Sequence, residues 1–531
     1  MKKKHFFSKA SVCVLLSLVF GNSLFCCGQD SNYTNPYIDR AVFPKGYSIL
    51  TSDNLMFPDN VSDFPVKLDS HRQLFVDDYL IASMSNLSRR YHQPQKHPKN
   101  PLVVSDRPWE NPHRIILNSV IYDKKMHKFR MWYISLGKAL YAESRDGIKW
   151  VKPDLGLVEY EGSKKNNILI ENGGIQIIRI NPKAQIPNHR FTAFVGHKPP
   201  LVKEYGWYIY HSPDGIHWKG DLGRCVMKHT ENKLLPAVGM GDTSVFRYDP
   251  VLNKYICDAK FNLYFPQGKK YMESIGVGIA SDKNRIKLRT MLESDDLVHW
   301  TRPRFILFPD EHDDPDCQIY SHISFVYESM WLGMVRIFHM LPTNYKQVDV
   351  QLSYSRDGRH WSRPAYREPF IPLGEPDSWE PDYTAPALNG PILVNDELWF
   401  FYRGCRNAER DKVKHWKMVL GLAKLRRDGF VSLNAGDTPG QVVTRPLTFT
   451  GKKLFVNADV EKDGWVKAAV LTRDSNSIDS YTLEDSVGLT KDTTKGRMTW
   501  KSKRELAPPK DNHVRLVFQL KNAKLYSFWV E

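Results

Sequence analysis

Four stretches of this chain repeat one phrase: ESRDGIKW (143–150), HSPDGIHW (211–218), ESDDLVHW (293–300) and SYSRDGRHW (353–361). Each copy runs from a serine to a tryptophan: Ser144 to Trp150, Ser212 to Trp218, Ser294 to Trp300 and Ser355 to Trp361. The serines are 68, 82 and 61 residues apart. LRRDGFVSL (425–433) reads as a worn fifth copy, with Phe430 where the others carry bulk. A repeat of this size is one supersecondary unit that cannot bury its apolar face alone, so the units must pack on one another.

The text between the phrases is strand-like. ILNSVIYD (116–123), KFRMWYI (128–134), GWYIYHS (206–212) and ELWFFYRG (397–404) alternate apolar with polar residues or are rich in aromatics, and Asp, Gly, Pro and Asn clusters separate them. The 14 Trp and 25 Tyr suit half-buried pleated surfaces. Each repeat holds about four antiparallel strands, and radial packing of such sheets protects their edges. The sequence therefore predicts an all-β chain, a five-bladed β-propeller followed by a C-terminal β-sandwich. Asp-Gly then forms the tight turn between the two outer strands of a blade, where glycine tolerates positive φ. Asp146, Asp214, Asp295 and Asp357 are expected at these outer turns as structural residues, with the tryptophans packing between blades. The expected divisions are 1–27, 28–66 as an irregular lead-in, 67–428 as the propeller and 429–531 as the sandwich.

Residues 1–27 read as a secretory signal peptide, with Lys2, Lys3 and Lys4 ahead of the short apolar run VCVLLSLVF (12–20). LFCCGQD (24–30) resembles a bacterial lipoprotein cleavage site at Cys27, which leaves plain secretion or periplasmic export and an outer-membrane lipid anchor both open. No later stretch is apolar enough for a membrane-spanning helix. Cys225, Cys257, Cys317 and Cys405 are widely spaced, giving neither a disulfide scaffold nor a zinc site. The net charge of +16 fits a basic surface or an acidic substrate, and the export signal argues against nucleic acid. A monomer without cofactor or bound metal is expected.

RQLFVDDYLI (72–81), HQPQKHPKNPLVVSDRPWE (92–110), GEPDSWEPDY (374–383) and LRRDGFVSL together resemble secreted bacterial proteins of the family-32-like glycosidase group. The arrangement of blades is similar to that of glycoside hydrolase family 43 and of mannoside phosphorylases. The repeated phrase also resembles the Asp-box of sialidases, where it is structural. The invertase signature Trp-Met-Asn-Asp-Pro-Asn-Gly is absent. The resemblance implies glycosidic-bond hydrolysis by carboxylates gathered in a central funnel.

Such chemistry takes one acid and one base or nucleophile. Inner strands begin at the funnel, so acidic residues just ahead of them are the candidates. SDRPWENPHR (105–114) offers Glu110, with Trp109 to stack on a sugar ring and Arg107, His113 and Arg114 to bind hydroxyls or a sugar carboxylate. VGMGDTSVFRYDP (238–250) offers Asp242. DDPDCQIYSHISF (313–325) offers Asp316, Tyr320 and His322, and on an extended strand Tyr320 and His322 share a face. SWEPDYTAPA (378–387) offers Trp379, Glu380 and Asp382. Glu380 is expected to act as general acid, its pKa raised by burial beside Trp379, with Asp242 or Glu110 as base or nucleophile. The second repeat brings His189 and Arg190 but no acid at its strand start. Asp77 and Asp78 read as structural.

The expectation is an exo-acting glycoside hydrolase for a plant, algal or host glycan, neutral or acidic. The alternatives are a glycan-binding propeller without catalysis and a glycoside phosphorylase.

Overall fold

A computed structural model describes residues 65–531 apart from 172, 174, 182, 184–186, 229–242, 265–284, 315, 340–345, 409–411 and 508–512. Among the described residues every regular element is a β-strand, save two single 3₁₀ turns, Pro187–His189 and Val413–His415. No helix there is long and apolar enough to cross a membrane.

Five antiparallel arrays follow one another among the described residues, the last two joined into one nine-stranded sheet by the parallel pairing Val348↔Tyr383. The first runs Ile116–Asp123, Lys128–Ser135, Lys138–Ser144, Ile168–Ile170. The second is Ile175–Ile180, Phe191–His197, Gly206–Ser212, Lys219–Gly220. Val245–Asp249, Lys254–Tyr264, Arg285–Ser294 and Arg304–Leu307 make the third. The fourth comprises Cys317–Tyr327, Met330–His339, Gln347–Ser355 and Pro369–Ile371. The fifth has Tyr383–Pro386, Glu397–Arg406 and Lys417–Arg426, and takes its fourth strand, Gln95–Lys96, from far upstream through Ala423↔Lys96 and Lys424↔Gln95.

Neighbouring arrays share apolar cores. One core joins Trp132 and Tyr141 of the first array to Phe191 and Tyr208 of the second. Others join Phe194 to Phe246, and Ile256 to Ile319. The core holding Leu117 and Phe129 of the first array also holds Trp399 and Phe401 of the fifth.

The repeated phrase builds the turn after each third strand. In the second copy the Ser212 hydroxyl accepts the Gly215 N–H at 2.8 Å, and Asp214 Oδ1 accepts those of Ile216 and His217 at 2.9 Å. Trp218 then donates its indole N–H to the Gly215 carbonyl at 3.0 Å. Trp150 stands edge-on to Phe401 of the fifth array, and Trp300 to Phe194 of the second. One expectation needs correction. In the third copy the capping residue is Asp296, which accepts the Val298 and His299 N–H groups. Asp295 sits one position early and pairs with Lys254 instead. Leu297 takes the glycine's place there at φ 70°.

Gly215 has φ +79°, and a Cβ there would lie 2.8 Å from Trp132 Cζ2. Gly215→Ala should cost about 1–3 kcal/mol in urea unfolding, from backbone strain and overpacking. Gly137→Ala, at φ +72° with nothing within 4 Å of the new Cβ, should show the backbone share alone.

The C-terminal strands form a ten-stranded sheet around two long partners, Leu454–Thr472 and Val514–Val530. Four early strands, Val66–Lys67, Gln73–Leu74, Ile81–Ser85 and Ser88–Tyr91, belong to this sheet. The division at 67 read from the sequence runs through these pairings, because their register matches C-terminal rather than adjacent strands. Asp77 binds the Arg356 guanidinium through both oxygens, at 2.6 and 3.0 Å.

Candidate functional site

The two Trp-Glu pairs turn out to be copies of one buried node. Glu110 is 2 % exposed. Its Oε1 accepts the Tyr133 hydroxyl at 2.6 Å, and its Oε2 accepts the N–H groups of Asp106 and Arg107. Lys152 Nζ lies 2.8 Å from both oxygens. Asn167 completes the node, donating to the Tyr133 hydroxyl and accepting from the Trp109 indole, each at 2.7 Å. Glu380, also 2 % exposed, accepts the Tyr402 hydroxyl at 2.9 Å and pairs with Lys96 Nζ at 2.8 Å. Asn100 donates to the Tyr402 hydroxyl, and the Trp379 ring packs on Tyr402 and over Gly404 and Gly421. Burial raises the Glu380 carboxyl above its usual range, while Lys96 and Tyr402 pull it down. Each node fixes the loop that leads into a first strand. Trp109 and Trp379 are half-buried and pack within these nodes.

A second group gathers at one end of the arrays, where first and third strands begin and second strands end. Tyr320 is the extra residue of a β-bulge between Ile319 and Ser321. Bulges re-aim side chains. This one breaks the alternation that would have put Tyr320 and His322 on one face. Tyr320 packs with Phe338, Tyr383, Cys405 and Trp416. His322 is fully buried on the other side, 3.0 Å from the Ser353 hydroxyl and edge-on to Trp361. Burial brings its pKa down to about 4, against the opposing pull of Asp258. His322 is thus a neutral core residue.

Cations and tyrosines alternate around Tyr320. Lys346 Nζ lies 4.4 Å above the Tyr320 ring and donates to its hydroxyl at 3.0 Å. Arg336 sits between the Tyr320 ring (4.8 Å) and the Tyr383 ring (5.1 Å). Arg403 lies 5.5 Å from the Tyr383 ring and donates to its hydroxyl at 3.1 Å. Lys260 of the third array reaches within 5.6 Å of Tyr320. Arg114, just ahead of the first array, is close enough to Arg403 for burial and that like charge to lower its pKa. Asp382 Oδ2 accepts the Ala408 N–H at 3.0 Å. The Cys405 thiol is pushed up to about 12 by burial and by Asp382, against Arg403, Arg114 and Lys346.

Asp316 joins a third group. Asp314, Asp316 and His339 hold ligand atoms within 4.8 Å of one another, as do Asp310, Glu311 and His312. Burial lowers the His339 pKa, but a 2.7 Å bond to Asp349 and the charges of Asp316 and Asp314 outweigh it and hold the imidazole above its usual range. Either group has the donors for a divalent cation, and His339 is too far from Asp316 in sequence for spacing to reveal the pair. Arg107 and His113 are exposed on the loop around the first node. Asp242 lies outside the described residues.

Sequence reading missed Arg336, Arg403, Lys346 and Lys260. A signal for the first two was present. MVRIF (334–338) and FYRGC (401–405) each place one arginine inside an apolar strand, three residues before its end. A charge so placed is rarely buried without a role.

No family model matches the sequence, and no curated protein matches it. Solved structures similar to this chain include a thermostable family-43 glycoside hydrolase (12 % identity, 62 % of this chain and 96 % of that one, TM-score 0.39). Another is a glycosyl hydrolase from Bacteroides ovatus (12 % identity, 67 % and 97 %, TM-score 0.40). A third is a family-32 β-fructofuranosidase of Bombyx mori (11 % identity, 83 % and 94 %, TM-score 0.36). The chain is thus similar, at low identity, to solved glycoside hydrolases of the family 43 and family 32 type.

Proposed function

We propose that the five arrays are the blades of a β-propeller, that the C-terminal sheet folds as a β-sandwich, and that the chain processes a glycan where the first strands begin. The shared core between the first and fifth arrays supports a closed ring. The observation that carries the function is the meeting of Asp382, Tyr320, Tyr383 and several cations at that end, contributed by separate repeats. Tyrosines, arginines and a carboxylate together offer hydrogen-bond donors and proton chemistry suited to a sugar. Glycoside hydrolysis is the reaction proposed, with Asp382 as one carboxylate. Glu110 and Glu380 become positioning residues, since lysine and tyrosine already occupy their oxygens. A non-catalytic glycan-binding propeller is the second reading, favoured by that same neutralisation of both Trp-Glu carboxylates. Export, lipid anchoring at Cys27 and exo action remain part of the proposal.

A hydrolysis screen tests this, using aryl glycosides and polysaccharides with and without phosphate. Asp382→Asn should lower turnover at least about a hundredfold while binding persists, in keeping with removal of an acid or base. Turnover unchanged in Asp382→Asn would remove Asp382 from the chemistry. Binding without turnover in the unaltered protein would establish the second reading.

A further inference from the structure

We propose that this end of the arrays binds an oxyanion carried by the sugar, a uronate carboxylate or a sulfate ester. The inference rests on the glycan reading and deepens it. Four cations come from separate segments to one place: Arg336 from the fourth array, Lys346 from just ahead of its third strand, Arg403 from the fifth array and Arg114 from the lead into the first. They are held in order by two tyrosines, Lys346 on Tyr320, Arg336 between Tyr320 and Tyr383, Arg403 on Tyr383. Arg336 is 2 % exposed and forms the floor with Tyr320 and Tyr383, while Lys346, Arg403 and Arg114 are half-buried and reachable from solvent.

Two of these cations make no ion pair with a carboxylate among the described residues. Among the described residues the Arg114 guanidinium makes no hydrogen bond or ion pair, and Lys346 Nζ meets a phenol rather than a carboxylate. Arg114 also faces the like charge of Arg403. Half-buried like charges repel and lose hydration, a cost that an anion shared between them removes. A guanidinium presents paired N–H donors that match the two oxygens of a carboxylate or sulfate. Asp382 is the one carboxylate that, with Arg114, Lys346 and Arg403, acts on the Cys405 thiol among the described residues. The bonds that Tyr320 and Tyr383 accept from Lys346 and Arg403 hold these two cations in place. The chain-wide charge of +16 favours approach of an acidic polymer in the same sense.

The test is calorimetric titration of the full chain with matched pairs of oligosaccharides. Oligogalacturonides are set against their methyl esters, and sulfated galactan fragments against their desulfated forms. Inorganic sulfate and phosphate are titrated separately. One acidic member should bind at least about tenfold more tightly than its neutral partner, as expected for a lost charge-assisted pair. Arg114→Gln and Lys346→Met should each erase most of that difference, and sulfate should compete. Unfolding temperatures near that of the unaltered protein would show the variants folded, and the matched pairs test the inference without any variant.

Equal binding of charged and neutral partners, unchanged in both variants, overturns the inference and leaves the glycan reading standing. Binding of sulfate or phosphate that is lost in Arg114→Gln, with no glycan bound, keeps the anion site and sinks the glycan reading. Turnover that requires free phosphate, again lost in Arg114→Gln, assigns the anion to phosphate and overturns the sugar-borne oxyanion. No binding of any anion overturns the inference outright.

Discussion

Lys96→Met is expected to lower stability by about 3–5 kcal/mol at neutral pH, the usual cost of stripping one partner from a buried ion pair. Glu380 is 2 % exposed, and Lys96 is the cation on its Oε1. The loss should depend on pH. Burial already raises the Glu380 carboxyl above the usual carboxylate range, with Lys96 and Tyr402 opposing. Without Lys96 the folded-state pKa rises further. A carboxyl raised on folding favours the folded state below its unfolded pKa, and that advantage is lost as pH rises through the folded pKa. Lys96→Met should therefore lie closest to the unaltered protein below about pH 4.5 and fall away towards neutrality. Adding Glu380→Gln should remove the pH dependence and return part of the stability, a positive coupling in a double-mutant cycle. Urea unfolding at several pH values reads all three variants. A pH-independent cost, or strict additivity of the two changes, would rule out the ion pair as its cause.

Asp428→Ala is expected to be as damaging, at about 3–5 kcal/mol, for a related reason. Asp428 is fully buried and binds four side chains from distant parts of the chain. Its Oδ2 accepts from Arg72 at 2.7 Å, Asn457 at 2.9 Å and Ser527 at 2.6 Å, and its Oδ1 from Tyr327 at 2.7 Å. Arg72 belongs with the early strands, Tyr327 with the fourth array, and Asn457 and Ser527 with the long C-terminal strands. Removing the carboxylate leaves the Arg72 charge buried under the Trp529 ring, 3.8 Å away. The residue also has φ 61°, a region that asparagine and aspartate tolerate best. Asp428→Asn should accordingly cost less than Asp428→Ala, since it keeps the shape and one acceptor. A midpoint of urea unfolding unchanged in Asp428→Ala would mean that the N-terminal strands, the arrays and the C-terminal sheet do not depend on this hub.

Part of the site was visible in the sequence, and the misreadings have local physical causes. The parallel between Trp109-Glu110 and Trp379-Glu380 was legible as a repeated word, and the structure makes it a repeated node. Its chemistry was not legible. Lys152 and Lys96 neutralise the carboxylates and Tyr133 and Tyr402 hydrogen-bond them, from 22 to 284 residues away. Tyr320 and His322 were expected to share a face, and one inserted backbone residue sends them apart. Asp295 and Asp296 are adjacent acids, and only the hydrogen-bond register shows which one caps the turn.

The sequence by itself determined the all-β character, the strand pattern of each repeat and the turn that ends it. These depend on contacts within a few residues: alternation of apolar and polar side chains, and a serine and an aspartate capping neighbouring N–H groups. The tertiary structure alone decided which strands complete which sheet, and which charges meet. Gln95–Lys96 closes an array that ends at Arg426, and the strands at 66–91 join a sheet whose long partners begin at Leu454 and Val514. Pairing between distant segments follows from apolar surface that must be covered, and many orders of strands satisfy one alternating pattern. The convergence of Arg114, Arg336, Lys346 and Arg403 exists only once that order is set.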